Sequence, residues 1–394
     1  MQRAEQGGFV LARWCPDIDV FISARPIFVF AGGYTAGHIT PGLAVIERLR
    51  ERGWDGDFLF LGTANSWERE LVSGAGVPFV GLPAMPWAGQ TAVTRLRALL
   101  RLAPAVWAAR RRLRGTRVHR LVGLGSFASV APALAARSLG IPVTLYEPNA
   151  TPGLANRLLC SSADALLVSR LFSGRADWTR ADVREVGVPL RADLLALAGQ
   201  VPDPPRAGLR LLVLGGSHGN PFLNERMPAL AQRLAVLRSG LSVIHQCGHD
   251  VAPEPLEVRY AEAGVAAEVT SYLDPIAPSF QGADFVVSAA GAISLHELAA
   301  AGVPALVVPL DSGAGSHQQF NAAAFARLTG CLAVKPADWD PGRLAAEIAG
   351  VVRDGARWRT RQTGLRALVT DDDAERFARA AFGSMADGLL AAAA

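Results

Sequence analysis

Short apolar runs alternate with segments of helical period along most of the chain. β-rich runs fall at residues 26–31, 57–61, 77–82, 121–123, 143–146 and 165–168. Between them, apolar positions recurring every three or four residues predict helices over 41–52, 66–74 and 96–113, the last interrupted at Pro104. Residues 200–208, QVPDPPRAG, are proline-rich and aperiodic and read as a linker. The alternation then resumes with strands at 209–214, 243–245 and 269–272, a helix at 224–237, and terminal helices at 341–354 and 373–386. Strands separated by helices predict an α/β protein with doubly wound parallel sheets. The expected plan is an extension over 1–25, one domain over 26–199, the linker, a second domain over 209–370, and a C-terminal helix within 371–394.

The pattern is clearest at 284–321, DFVVSAAGAISLHELAAAGVPALVVPLDSGAGSHQQFN. It predicts a strand at 285–287, a small-residue turn at 290–292, a helix at 293–301 ended by Gly302, a strand at 303–309, and a loop through His317 and Gln318 that opens another helix. A helix that starts where a parallel strand ends presents free N–H groups to a crevice and suits an anionic ligand. Glu297 lies too far along to cap that helix. A carboxylate there suits a sugar diol, and equally suits an exposed helix charge.

Two other glycine turns follow apolar strands, at 32–38 and 215–219. The first places His38 at a helix start, with an intrinsic pKa fit to take a proton near neutrality. In the second, Ser217 and backbone N–H groups suit a diphosphate, and the alternative is a plain tight turn. The Arg191 guanidinium matches phosphate geometry, although an arginine before a linker is commonly an exposed charge. Asn149 either orients a ligand or caps the following helix.

Composition narrows the setting. The 394 residues are 50% hydrophobic and 19% charged, which excludes a disordered chain and supports two cores. Cys15, Cys160, Cys247 and Cys331 are scattered without metal-ligand spacing and read as free thiols. No uncharged apolar run reaches 18 residues, and the charges within 1–25 leave no signal-peptide core, so a cytoplasmic protein is expected. Charge is uneven: between Glu70 and Glu147 there are ten arginines and no acid. Within 82–120 these arginines interleave with Met85, Trp87, Leu96, Leu99, Leu100, Leu102, Val106 and Trp107. An all-positive run beside tryptophan and leucine suits an anionic membrane surface, with nucleic acid the lower-ranked partner.

The motifs together resemble the MurG-type glycosyltransferases. That family's donor pattern, roughly S-G-A-x-[ST]-x-x-E, A-A-G-x-P-x-x-x-x-P and H-Q-x-x-N-A, reads here as Ala290 to Glu297, AAGVPALVVP at 300–309, and His317 to Ala322. The turn at 32–38 resembles G-G-G-T-[AG]-G-H, residues 215–219 match G-G-S-x-G, residues 186–191 resemble G-N-P-[VI]-R, and 146–149 stand where the family has H-E-Q-N. Departures are Tyr34 for a glycine, Tyr146 and Pro148 beside Glu147, and Ala289 where some members have arginine. Tyr34 is expected to bring bulk where backbone meets ligand.

The resemblance implies a GT-B fold, two Rossmann-like domains facing across a cleft. It implies an inverting, metal-independent enzyme without cofactor that moves GlcNAc from UDP-GlcNAc to the muramoyl C4 hydroxyl of an undecaprenyl-linked muramoyl pentapeptide. The setting would be peripheral, at the cytoplasmic face of the plasma membrane. By the same resemblance His38 would be the general base. Donor binding would fall to Thr35, Ala36, Gly37, Asn149, Arg191, Ser217, Leu273, Ala292, Ile293, Ser294, Glu297, His317 and Gln318. Glu147 and Asn149 would stand on the acceptor side. The alternatives are a same-fold transferase using another lipid such as diacylglycerol, a UDP-GlcNAc 2-epimerase, and a non-catalytic sugar-nucleotide-binding subunit.

Overall fold

The computed structural model describes residues 25–54, 56–83, 92–173, 179–200, 202–205, 208–310 and 317–387, and two short strands before them. For residues 13–15, 20–22 and 92–101 only the backbone is described. The two short strands, β1 (Arg13–Cys15) and β2 (Val20–Ile22), pair antiparallel within the expected extension.

The first domain carries β3 (Ile27–Ala31), β4 (Asp57–Thr63), β5 (Phe79–Leu82), β6 (Val118–Gly123), β7 (Val143–Glu147), β8 (Ala165–Val168) and β9 (Asp182–Glu185). They form one sheet, ordered β5-β4-β3-β6-β7-β8-β9, with every pairing parallel. Its helices are α1 (Thr40–Glu51), α2 (Ser66–Gly74), α3 (Ala92–Leu113), α4 (Val130–Ser138) and α5 (Leu154–Leu159), and α6 (Ala192–Ala198) follows. The second sheet, β12-β11-β10-β13-β14-β15, is also parallel throughout. Its strands are β10 (Leu209–Leu214), β11 (Leu241–Gln246), β12 (Ala266–Thr270), β13 (Phe285–Ala289), β14 (Ala305–Val308) and β15 (Leu332–Ala333). Helices α7 (Pro221–Leu237), α8 (Glu254–Glu262), α9 (Ala277–Gly282), α10 (Ala292–Ala301), α11 (His317–Thr329), α12 (Pro341–Arg353), α13 (Gly355–Arg366) and α14 (Asp373–Phe382) complete the chain.

Central strands such as β3 and β13 are buried along their whole length, as covering a parallel sheet on both faces requires. Their continuous apolar runs follow from that burial. Two of the differences from the expected elements concern prolines. Helix α3 runs unbroken through Pro104, which sits exposed on its surface. Helix α7 starts at Pro221 and not at 224, because the Asn220 side chain accepts from the Leu223 N–H (3.2 Å) and proline suits the first turn.

The chain crosses between domains twice. After β9 it enters the second domain: Leu190, Leu194 and Leu197, around and within α6, are buried with Phe280, Leu295 and Leu298 of α9 and α10. The prolines of 200–208 therefore run along the second domain, where the Pro202 carbonyl accepts from Gln362 Nε2 (3.0 Å). The return leads to α14, whose Phe377 and Phe382 are buried with Phe28, Phe30 and Val45 of the first domain. The crossings are tied by Arg170, which makes a two-pronged ion pair with Asp373 (2.8 Å at each oxygen) and donates to the Leu368 carbonyl (2.9 Å). Parallel strands all end at the same edge, so this arrangement turns the C-terminal edges of both sheets toward one cleft.

Candidate active site

The wall from the second domain is built by α10. Strand β13 ends, Ala290 and Gly291 turn, and α10 begins at Ala292 with its first N–H groups toward the cleft. Gly291 has an ordinary backbone conformation (φ −66°, ψ 133°), so its role is the absence of a side chain in front of those donors. Gly302 closes the helix in the left-handed region that favours glycine (φ +66°). Ser217 lies beside α10 on the loop between β10 and α7. That loop is held by Gln246, whose Nε2 donates to the Gly216 carbonyl (3.0 Å) while its Oε1 accepts from the Leu273 N–H (3.0 Å). Leu273 thus faces the cleft with its N–H already committed.

From the first domain, the turn at 32–38 brings Thr35, Ala36, Gly37 and His38 opposite. Gly37 comes close to α10: a Cβ there would stand 3.2 Å from Ile293 Cγ1. His38 Nδ1 lies 2.9 Å from the Thr35 hydroxyl. Burial, and secondarily the neighbouring His317, push His38 down to about 4, so its ring is neutral at physiological pH. Between these walls lies a cavity of about 610 Å³. Every residue expected at the site lines it, His38, Glu147, Asn149, Arg191, Ser217, Leu273, Glu297, His317 and Gln318 among them.

Several of these side chains are already engaged. Arg191 is bonded to Asp193 (3.2 Å) and Asp274 (3.3 Å). Gln318 Oε1 accepts from the Leu310 N–H (3.0 Å), and His317 Nδ1 meets the Thr151 hydroxyl across the cleft (3.3 Å). Glu147 is buried and accepts four hydrogen bonds, from the Asn149 N–H and Nδ2, the Gly153 N–H and Asn156 Nδ2. Its carboxylate shapes the loop after β7 and has little capacity left for a ligand. Asn149 is not the cap of α5; that position is Gly153. Glu297, by contrast, has no hydrogen-bond partner among the described residues. Burial pushes it up to about 7, opposed by the Arg191 charge and reinforced by Asp193.

Tyr34 does not intrude. Its backbone takes the left-handed conformation that glycine would take (φ +69°), its N–H donates to the buried Glu68 carboxylate (2.8 Å), and its hydroxyl is buried outside the cavity lining. Tyr146 is likewise buried, its hydroxyl on the Gly187 carbonyl (3.1 Å). The sequence reading assigned no role to Ser126, Gln246, Tyr272 and Asn321, which also line the cavity. Ser126 carries a left-handed backbone (φ +61°) next to Gly125, where a Cβ would stand 3.1 Å from His38 Cδ2, and the signal available for it was the GSF loop after β6.

Two parallel α/β domains facing across one cleft, with helix N–H donors and a carboxylate on one wall and a histidine on the other, have the architecture of the GT-B class. The fold is shared with the crystal structure of Acinetobacter baumannii MurG (TM-score 0.69, 23% identity, 91% of this chain and 99% of that one). A calicheamicin glycosyltransferase also shares it (TM-score 0.63, 17% identity, 94% and 98%). Residues 27–168 match the glycosyltransferase family 28 N-terminal domain, and residues 210–374 match its C-terminal domain. The chain is 40% identical over 305 residues to the UDP-N-acetylglucosamine–N-acetylmuramyl-(pentapeptide) pyrophosphoryl-undecaprenol N-acetylglucosamine transferase of Aeromonas hydrophila subsp. hydrophila, covering 76% of this chain and 80% of that protein. It is 37% identical over 340 residues to the protein of the same name from Alcanivorax borkumensis, covering 84% and 90%. The chain belongs to this family of MurG-type transferases.

Glu297 gives a test of the donor wall. A lost hydrogen bond to a charged partner costs roughly 1.5–3 kcal/mol, so Glu297→Ala is expected to raise the donor KM by about 10- to 150-fold. With a carboxyl group that protonates near 7, wild-type UDP affinity should weaken as pH falls from 8 to 6. In Glu297→Gln it should be weak and flat over that range. Calorimetric titration with UDP checks both, and unchanged affinity in a folded variant would remove Glu297 from the site.

Proposed function

We propose that this cleft transfers GlcNAc from UDP-GlcNAc to the muramoyl C4 hydroxyl of an undecaprenyl-diphosphoryl muramoyl pentapeptide, the reaction named for its relatives. The observation that carries the reading is the opposition, across one cavity, of the α10 N-terminus and Glu297 to a neutral His38. The N–H groups at the start of α10 and the Ser217 loop meet the diphosphate, where the helix dipole favours negative charge. Arg191 stands at the same wall and exchanges an aspartate for a phosphate oxygen. Glu297 accepts from the ribose diol. The Leu273 carbonyl is the backbone group left to accept the uracil N–H, because its own N–H is donated to Gln246. Gln318 and His317 face the sugar.

In the transfer step His38 takes the proton of the acceptor hydroxyl. That oxygen forms the new bond to sugar C1 as the bond from C1 to the diphosphate oxygen breaks. UDP leaves with the electron pair, and its charge is met by donors fixed before the reaction begins.

The acceptor's lipid places this enzyme against a membrane surface. Among the described residues no helix is long and apolar enough to cross a membrane. Helices α3, α4 and α5 pack on the same face of the first sheet, and they expose Trp107, Leu154 and Leu158 together with Arg111, Arg114 and Arg157. The Arg111 guanidinium lies 5.8 Å from the Trp107 ring centre. Arg110 is tied instead to Ser138 of α4, and Arg112 is half-buried, so those two contribute less to the surface than their place in the run suggests. Met85 and Trp87 lie outside the described residues, and for Leu96, Leu99 and Leu100 only the backbone is described. An aromatic ring and leucines among arginines suit the headgroup depth of an anionic leaflet.

Incubation with UDP-GlcNAc and the lipid-linked muramoyl pentapeptide should yield the disaccharide lipid and UDP. Formation of UDP-ManNAc without any acceptor would establish the epimerase instead. His38→Ala should lower kcat by about 10²- to 10⁴-fold with UDP affinity near wild type, as for a lost general base. If kcat scarcely moves, the base lies elsewhere. Reversing Arg111, Arg114 and Arg157 to Glu should release the protein from phosphatidylglycerol vesicles, since each arginine near such a surface is worth about 1 kcal/mol. Equal pelleting of variant and wild type would place the membrane face elsewhere.

A further inference from the structure

One fully buried side chain, Asn321 on α11, is bonded to both walls of the cleft. Its Oδ1 accepts from the Ala150 N–H (2.8 Å) and its Nδ2 donates to Asn149 Oδ1 (3.0 Å), both in the first domain. The same Nδ2 donates to the carbonyl of Ala290 (3.1 Å), the residue just before the Gly291 cap of α10. Asn149 in turn gives its Nδ2 and its N–H to Glu147 Oε1 (2.7 and 3.0 Å). A continuous hydrogen-bonded chain therefore runs from the turn under the donor helix to the 147–153 loop of the opposite domain.

The direction of that chain is forced. Glu147 Oε1 already accepts the Asn149 N–H, so the Asn149 amide turns its Nδ2 toward the same oxygen and its Oδ1 toward Asn321. Asn321 must then offer Nδ2 to Asn149 and Ala290, which leaves its Oδ1 for the Ala150 N–H. One orientation of each amide satisfies every partner, and it does so only when the domains sit in this register. Opening the cleft would break the Ala150 and Asn149 bonds and free the 147–153 loop from α10.

Accepting the cleft as the transferase site, we infer that Asn321 is a positioning residue that locks the two domains in the register at which donor and acceptor meet. It acts through Asn149 and Ala290 and not by contact with the reacting atoms. Its effect should fall on transfer more than on uridine binding, because Ser217, Leu273 and Glu297 all belong to the second domain.

The test compares wild type with Asn321→Ala, Asn321→Asp, Asn149→Ala and the double alanine variant, each shown to be folded by its thermal melt. Losing buried, mutually satisfied hydrogen bonds should lower kcat/KM for transfer by about 10- to 100-fold in Asn321→Ala. It should fall further in the near-isosteric Asn321→Asp, which sets a carboxylate against the Ala290 carbonyl and Asn149 Oδ1. UDP affinity by calorimetry should stay within about threefold of wild type, because Leu273 keeps its bond to Gln246 and neither Ser217 nor Glu297 is bonded to Asn321. Because the two asparagines act as one unit, the double alanine variant should be no worse than the poorer single. Losses that multiply would overturn the inference, as would wild-type kcat/KM in Asn321→Asp.

Small-angle X-ray scattering supplies a readout independent of turnover. Wild type with saturating UDP-GlcNAc should give the compact profile of this structure, and Asn321→Asp should stay expanded. Compact profiles in both would overturn the locking role. If wild type transferred no sugar, the reading of the reaction would fail while the scattering comparison still decided the lock. Should the Asn321 variants not fold, the scattering comparison is made with Asn149→Ala, which removes one of the bonds across the cleft and should likewise stay expanded; a compact profile there would overturn the lock.

Discussion

The Arg170–Asp373 ion pair fixes where everything else stands. Asp373 is almost fully buried and Arg170 largely so, at the place where the chain passes between domains for the second time. Burial disfavours the Asp373 charge, but hydrogen bonds from Arg170 and Thr370 and the guanidinium charge more than offset it and hold the carboxyl below its usual range. Arg376 also reaches Asp373 (2.5 Å), so the carboxylate is held from two sides. Asp373 also accepts from the Val188 N–H (3.3 Å), so one carboxylate ties the outgoing crossing to the returning one. With both crossings pinned, the two sheets point their C-terminal edges at each other. The cleft follows from that constraint.

Within the cleft, burial acts in opposite directions on two titratable groups. It keeps His38 without its proton and raises Glu297 toward neutrality. A ligand that brings hydrogen-bond donors to Glu297 would favour the carboxylate's charge, so part of the binding energy offsets the cost of burying that charge. The other two carboxylates of the lining are engaged, Glu147 by four donors and Asp274 by Arg191. Among the described residues, Glu297 is the one carboxylate of the lining without a hydrogen-bond partner, and in the proposed complex the ribose diol engages it, away from the anomeric carbon. The geometry therefore favours direct displacement by the acceptor oxygen over a covalent sugar intermediate.

Much of this was legible in the residues. Apolar runs interleaved with helical periods gave the parallel α/β architecture, and the glycine turns placed His38, Ser217 and α10 at strand ends. Longer-range consequences were not legible. The proline-rich stretch 200–208 signals a loop, but nothing in Leu194 and Leu197 says which core they join, and they join the second. The helix at 373–382 is readable as a helix, whereas its return to Phe28 and Phe30 depends on packing across the whole chain. Asn321 stands in a recognisable motif, yet its partner Asn149 is 172 residues away and the pairing exists only once both domains are built. Tyr34 looked obstructive because a residue's identity does not reveal a left-handed backbone that turns its side chain elsewhere.

The proposed transfer is a single displacement in which the acceptor hydroxyl, stripped of its proton by His38, attacks the donor sugar directly. Nuclear magnetic resonance of the disaccharide product reads this from the configuration at the transferred sugar's anomeric carbon. UDP-GlcNAc carries the α configuration, so one displacement yields a β linkage. A β-linked product is the predicted result. An α-linked product would require a second displacement through a covalent sugar intermediate and would contradict the account.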